Sequence, residues 1–159
     1  MKRFRLAFRI GIISGNGEVR AMVRTETIGI ETRGNGHMVD VTDRVAGFVS
    51  ACGLTHGAAT VFVPGATGAV TTIEYESRLE QDFARLMQEL APQQREYAHN
   101  ARWRDGNGHS HVRASLLGPS LTVPVQNGRL LLGTWQQIIV LDFDVLARTR
   151  KIVFQAIGE

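Results

Sequence analysis

The stretch "QQIIVLDFD", residues 136–144, limits the possible folds of this chain more than any other. Ile138, Ile139, Val140 and Leu141 follow one another with no polar residue between them. Successive side chains of a strand point to opposite faces, so a strand with one wet face alternates apolar and polar residues. This one has more apolar residues than a single buried face needs. It therefore requires burial on both faces or at a subunit interface.

Its neighbours are also β in pattern. "SLTVPV", "RLLLGTW" and "KIVFQAI" read as strands, and Asn127-Gly128 between two apolar runs is a strong hairpin signal. "VRASLL", just after "HSH", reads as a strand as well. Earlier, "VRTETIGIET" and "HMVDVT" are strands joined by the turn "RGNG", and "AATVFVP" and "GAVTTIE" pair around "GATG". Two helices interrupt these strands. Thr42 or Asp43 caps a short one carrying Val45, Phe48, Val49 and Cys52 on one side, and Gly53 ends it. Ser77 and Glu80 form a capping box for the second, in which Leu79, Phe83, Leu86, Met87 and Leu90 recur at helical spacing until Pro92. With no repeated βαβ alternation, the class is α+β.

At 159 residues and 43% hydrophobic content, the chain suits one compact domain. A net charge of +3 admits anionic ligands without identifying nucleic acid, and no nucleic-acid partner is expected. A single cysteine, Cys52, excludes an internal disulfide and suits a reducing, cytoplasmic setting. No run approaches the roughly 18 apolar residues of a membrane span. At the N-terminus, Arg5 and Arg9 interrupt the apolar stretch that a signal peptide needs. Phe4, Leu6, Phe8 and Ile10 alternate there with Arg3, Arg5, Ala7 and Arg9, the pattern of a strand with one cationic face. Such a strand suits RNA binding, and equally an edge guarded by charge.

Five motifs, "FVPGATGAVTTIEYE", "YAHN", "WRDGNGHSHVRASLLGPS", "VPVQNGRLLLGTWQQI" and "ARTRKIVFQAIG", match in wording, order and spacing. Through them the chain resembles the YjbQ family, the uncharacterised family UPF0047, some of whose members are described as secondary thiamine-phosphate synthases. The resemblance divides the chain into an N-terminal extension, residues 1–21, which forms a strand if it is structured, and a single YjbQ-like domain, residues 22–159. It implies two small, mostly antiparallel sheets forming a sandwich with two main helices, assembled as a homotrimer around a threefold axis. It also implies a pocket lined by the polar residues of the motifs. The chain departs from the family pattern at Gly65-Ala66-Thr67-Gly68-Ala69, where many relatives read "HTTAA". A site built on an imidazole at position 65 is therefore absent.

The motif residues suggest chemistry. His109 and His111, two apart, share one face if a strand has begun there, and His99 reaches them across the intervening loop. Imidazoles suit zinc, nickel or iron, with Glu74, Glu76 or Asp105 completing or orienting the shell. Structural hydrogen bonding is the alternative for all three histidines. Glu74 and Glu76 alternate onto one side, where paired carboxylates serve acid–base work or hold magnesium, or merely precede a helix start. Asn107 between Gly106 and Gly108 offers donors to an anion, or makes a turn without a ligand. Arg113, Arg148 and Arg150 are candidate phosphate forks; for the last two, solubility is the alternative. Trp135 beside Gln136 suits a heteroaromatic ring, against a core role for the tryptophan.

The expected metal ligands are thus His99, His109, His111 and Glu74, holding a divalent ion such as zinc or magnesium. His111, Glu76 and Asn107 are the expected catalytic residues. Gln136, Trp135 and Arg113 are the expected contacts to a phosphorylated ligand. Two functions follow. One is an enzyme on a phosphorylated heterocycle; the resemblance implies coupling of a pyrimidine pyrophosphate to a thiazole phosphate. The other is a trimeric metal- or anion-binding protein without turnover. No P-loop or nucleophile elbow decides between them.

Overall fold

The computed structural model describes the backbone of residues 5–14 and 17–159 and the side chains from Ala21 onward. Two antiparallel sheets carry the fold. The larger orders its strands β1 (Arg5–Ser14), β2 (Gly17–Thr32), β9 (Arg148–Gly158), β4 (His56–Phe62), β6 (Ser120–Gln126) and β7 (Arg129–Leu130). The smaller orders β3 (His37–Asp40), β8 (Gln137–Asp142) and β5 (Gly68–Ile73). Four helices accompany them: α1 (Thr42–Cys52), α2 (Ser77–Leu90), α3 (Ala98–Trp103) and α4 (Gly108–Leu117). The α+β class therefore holds, with α3 and α4 added to the two expected helices.

β8 explains the layering. Ile138 and Val140 join the core between the two sheets, with Val61, Ile152 and Phe154 opposite and α1 closing one end through Val45, Phe48 and Val49. Ile139 and Leu141 point the other way, into a second core with Met38, Met87, Ala114 and Phe143. All four β8 residues are at most 1% exposed. The apolar excess of this strand is thus spent on burial at both faces within one chain, and an interface is not needed to explain it. Each such side chain contributes about 1.5–3 kcal/mol by its removal from water.

Local pairing departs from expectation in two places. β2 and β3 do not form a hairpin, because the turn Gly34-Asn35-Gly36 carries the chain from the larger sheet to the smaller. All three turn residues have positive φ, and a Cβ at Gly34 would lie 2.5 Å from the Asp144 carbonyl oxygen. β4 and β5 likewise belong to different sheets. By contrast, the hairpin at Asn127-Gly128 joins β6 to β7 as expected. Gly53 ends α1 in the left-handed region, also as expected. The N-cap of α1 is Val41, and Thr42 instead accepts the Ile138 N–H, tying the helix to β8.

At the N-terminal edge, β1 pairs with β2 from Arg5↔Glu26 to Ser14↔Gly17. The boundary drawn at Met22 falls inside β2. Arg3 and Phe4 of the alternating stretch lie outside the described residues. No described helix is long and apolar enough to cross a membrane.

Beneath the β2–β3 turn lies a buried polar network. Arg150 Nη2 meets Asp142 Oδ1 at 2.5 Å and Thr67 Oγ1 at 2.6 Å, and Thr32 donates to the other Asp142 oxygen. Thr67 donates in turn to Asp144, which pairs with Arg148 at 2.7 Å. Arg150, 8% exposed and tied to Asp142 and Thr67, is neither a free phosphate fork nor a solubilising residue, whereas Arg148 is engaged through its Nε. For Asp144, burial acts to raise the pKa, yet the Arg148 hydrogen bond, the Leu146 N–H and the Thr67 hydroxyl outweigh it and hold the carboxyl below its ordinary 3.8. The stability this carboxylate contributes is complete above its unfolded value and is lost as pH falls through the depressed folded one. Arg148→Ala should therefore move acid unfolding to higher pH while costing less than about 1 kcal/mol at neutral pH, since Arg148 is largely solvated. An acid titration followed by circular dichroism that matches the parent protein would contradict this.

Candidate metal centre

The stretch "NGHSHVRASLL" is a helix, not a strand. Ser110, Arg113 and Ala114 are buried and Leu117 half-buried, which is helical spacing. His109 and His111 therefore lie about 200° apart around α4 and do not share a face. His109 turns inward, 1% exposed, with the Tyr97 ring 6.4 Å away. Desolvation, then the nearby Arg113 charge, depresses its pKa and keeps the imidazole neutral at neutral pH. His109 is therefore not one of the clustered donors.

His111 turns outward to α3, where its ring lies 4.4 Å from that of His99. The loop between α3 and α4 brings in a third group. Arg104 ends α3 in the left-handed region, and Asp105 follows with its Oδ2 3.3 Å from His99 Nε2. The other Asp105 oxygen accepts the Asn107 N–H at 3.3 Å. Desolvation would raise the Asp105 pKa, but the Asn107 N–H and His99 outweigh it and hold the carboxyl ionised below its ordinary range. One donor atom each from His99, Asp105 and His111 lies within 4.8 Å of the others.

A glycine sets this corner. A Cβ at Gly108 would come within 2.5 Å of Tyr97 Cβ, so α4 starts against α3 only because none is there. The Gly108 N–H then donates to Asn100 Oδ1 at 2.8 Å. This glycine admits a helix rather than a ligand.

The remaining expected residues are dispersed. Asn107 is the N-cap of α4 and is buried, its Oδ1 without a hydrogen-bond partner. Glu76 is the N-cap of α2, accepting the Arg78 N–H at 2.8 Å and that of Leu79, so it replaces Ser77 in that role. This is the helix-start alternative weighed for the acid pair: a carboxylate satisfied by backbone donors at a positive helix end. Glu74, exposed beyond the end of β5, is not one of the clustered ligands. Gln136 is engaged locally, accepting from Gly133 N–H at 2.7 Å and reaching Thr72 Oγ1 at 3.4 Å. Trp135 is 68% exposed, which excludes the core role. Arg113 leaves the cluster, its Nε donating to the Ala91 carbonyl at 3.0 Å. Gly65 lies beside the polar network, where a Cβ would stand 3.2 Å from Arg150 Nη1.

Residues 26–159 match the family described as UPF0047 protein YjbQ-like. The chain is 37% identical over 137 residues to a UPF0047 protein of Methanothermobacter thermautotrophicus, covering 86% of this chain and 94% of the relative. To the UPF0047 protein YugU of Bacillus subtilis it is 35% identical, covering 84% and 98%. Among solved structures, a YbjQ-like protein of unknown function from Sulfolobus solfataricus superposes with a TM-score of 0.83 at 32% identity, covering 87% of this chain and 99% of that one. A hypothetical protein from Aeropyrum pernix does so with a TM-score of 0.79 at 34% identity, covering 85% and 98%. These relatives supply a family and a fold, and no named activity.

Proposed function

The chain belongs to the UPF0047 YjbQ-like family, and from that premise we propose that it is a metal-binding protein whose divalent cation is held by His99, Asp105 and His111. The observation that carries this reading is the approach of three donor atoms to within 4.8 Å. In a tetrahedral zinc site with bonds of about 2.0–2.1 Å, donors stand about 3.3 Å apart. His99 and Asp105 already have that separation, 3.3 Å, so a side-chain adjustment of His111 completes the set. Two imidazoles and one carboxylate favour zinc over magnesium, which prefers oxygen ligands. The Glu74/Glu76 pair that would have suited magnesium is spent in part on capping α2.

Three protein ligands leave a coordination position open, as in catalytic zinc sites. A cation there supplies Lewis acidity to a phosphate oxygen. The finer reading, supported by the family resemblance, is a thiamine-phosphate synthase-like reaction in which the ring nitrogen of the thiazole phosphate bonds to the methylene carbon of the pyrimidine pyrophosphate as its C–O bond breaks and pyrophosphate leaves. The test uses untagged, chelator-stripped protein titrated with Zn2+ in a calorimeter. Binding near one ion per chain at micromolar affinity or better is expected, and no uptake of zinc above the buffer overturns the reading. Release of pyrophosphate only when both substrates are present tests the finer one.

We also propose that the chain assembles as a homotrimer. Support comes from the outer face of the larger sheet, on which Phe62, Val153, Ile157 and Pro124 lie in register with Thr25, Thr60 and Gln155. Phe62 is 40% and Ile157 48% exposed there, and these seven positions carry no charge. A patch of this kind, with Lys151 and Glu31 at its margin on the same face, supports association. Light scattering should read three times the chain mass; a monomer at micromolar concentration overturns the proposal.

A further inference from the structure

A cavity of about 430 Å³ lies between the β2–β3 turn, α2 and α4, and none of the three clustered ligands lines it. Small-molecule sites run from about 300 to 1,000 Å³. Phe83, Met87 and Phe143 give it an apolar wall, and its charged lining is Arg33 and Arg113 against Glu80. The balance is one positive charge in excess, set beside a surface for a flat body.

Arg113 is the feature that needs an explanation. It is 5% exposed, its Nε is spent on the Ala91 carbonyl, and its Nη2 has neither solvent nor a hydrogen-bond partner. A guanidinium stays charged, and leaving one of its donors buried and unfilled is costly. Such groups are normally completed by a water, an ion or a ligand. At the rim, His37 accepts the Arg33 N–H through Nδ1 at 3.2 Å, so its neutral tautomer carries the proton on Nε2 and adds a donor to the cavity lining. On α4, Arg113 lies two residues from His111, about 200° around the helix, so the cavity and the ion cluster occupy different sides of it.

We propose that this cavity is a second site, for a small organic anion: a carboxylate or phosphate monoester on a flat apolar body. Arg113 and Arg33 take the anionic end, and Phe83, Met87 and Phe143 pack against the body. The site stands apart from the ion cluster and does not depend on it.

Metal-free protein titrated with phenyl phosphate, benzoate and inorganic phosphate tests the proposal. One or both aromatic anions should bind saturably and more tightly than inorganic phosphate, and which of them does so distinguishes the phosphate from the carboxylate. Arg113→Lys, which removes the guanidinium fork, and Arg33→Gln, which removes a charge-assisted contact, should each weaken that binding by at least about tenfold. His111→Ala should leave it unchanged. If Arg113→Lys does not fold, the exposed Arg33→Gln decides alone. The proposal is overturned if neither aromatic anion binds, if inorganic phosphate binds equally well, or if the folded arginine variants bind like the parent.

Discussion

His111→Ala is expected to lower zinc affinity by at least about a hundredfold, more than the ten- to hundredfold typical of losing a partner that only orients a ligand. His111 is a direct ligand candidate, half-buried on the outer side of α4, with His99 as its ring neighbour. Removing it leaves a carboxylate and one imidazole, too few to retain zinc against water. The metal-free variant should still fold, since His111 belongs to neither hydrophobic core. His56→Ala, at an exposed position on β4 far along the chain from the cluster, should leave zinc binding unaltered. Calorimetry and a thermal melt on the same samples read both quantities. Parental zinc binding by His111→Ala would remove this residue from the site, and collapse of the metal-free variant would make it a structural histidine.

The largest loss of stability should come from Asp142→Ala. Asp142 is fully buried and serves Arg150, Thr32 and the Asp144 N–H together. Its removal strands the Arg150 guanidinium with the more distant Asp144, 3.6 Å away, as its remaining carboxylate. Breaking a buried pair on one side costs about 3–5 kcal/mol, a large share of the roughly 5–15 kcal/mol that holds a domain folded. A fall in Tm of about 10 °C follows for a chain of this length. Asp142→Leu combined with Arg150→Met should recover much of the loss, because both charges then leave the interior together. A single Asp142→Ala variant that melts within two or so degrees of the parent would show that water reaches the network.

Sequence patterns disclosed the elements whose burial is one-sided and local. Val45, Phe48 and Val49 on α1, the left-handed Gly53, and the Asn127-Gly128 hairpin are where their spacing put them. The helix at 108–117 was hidden because Val112, Ala114 and Leu116 alternate with polar residues as a strand would. The buried set is instead Gly108, His109, Ser110, Arg113 and Ala114, three of them polar, and polar burial leaves no hydropathy signal. That one change of period put His109 and His111 on different sides of α4. His99 and His111 were legible as candidate ligands, and Asp105 as a supporting acid, because a short loop joins them. Glu76 caps α2, a role that sequence alone does not separate from that of an acid in a site. The cavity residues Arg33, His37, Tyr75 and Glu80 could not be grouped beforehand. They meet through the crossing of the β2–β3 turn from one sheet to the other, and nothing local in the chain announces that crossing.

β8 faces a core on each side, with the outer face of the larger sheet beyond one and α2 and α4 beyond the other. A saturation scan of the gene should register this as a distinctive tolerance profile. Along β4 or β9 acceptance should rise and fall every second codon, whereas codons 138–141 should form one uninterrupted block that rejects polar replacements. Variation can then accumulate on either outer layer without the other being consulted. A new oligomeric surface and a new set of ligands become independent inventions on a shared, nearly immutable strand.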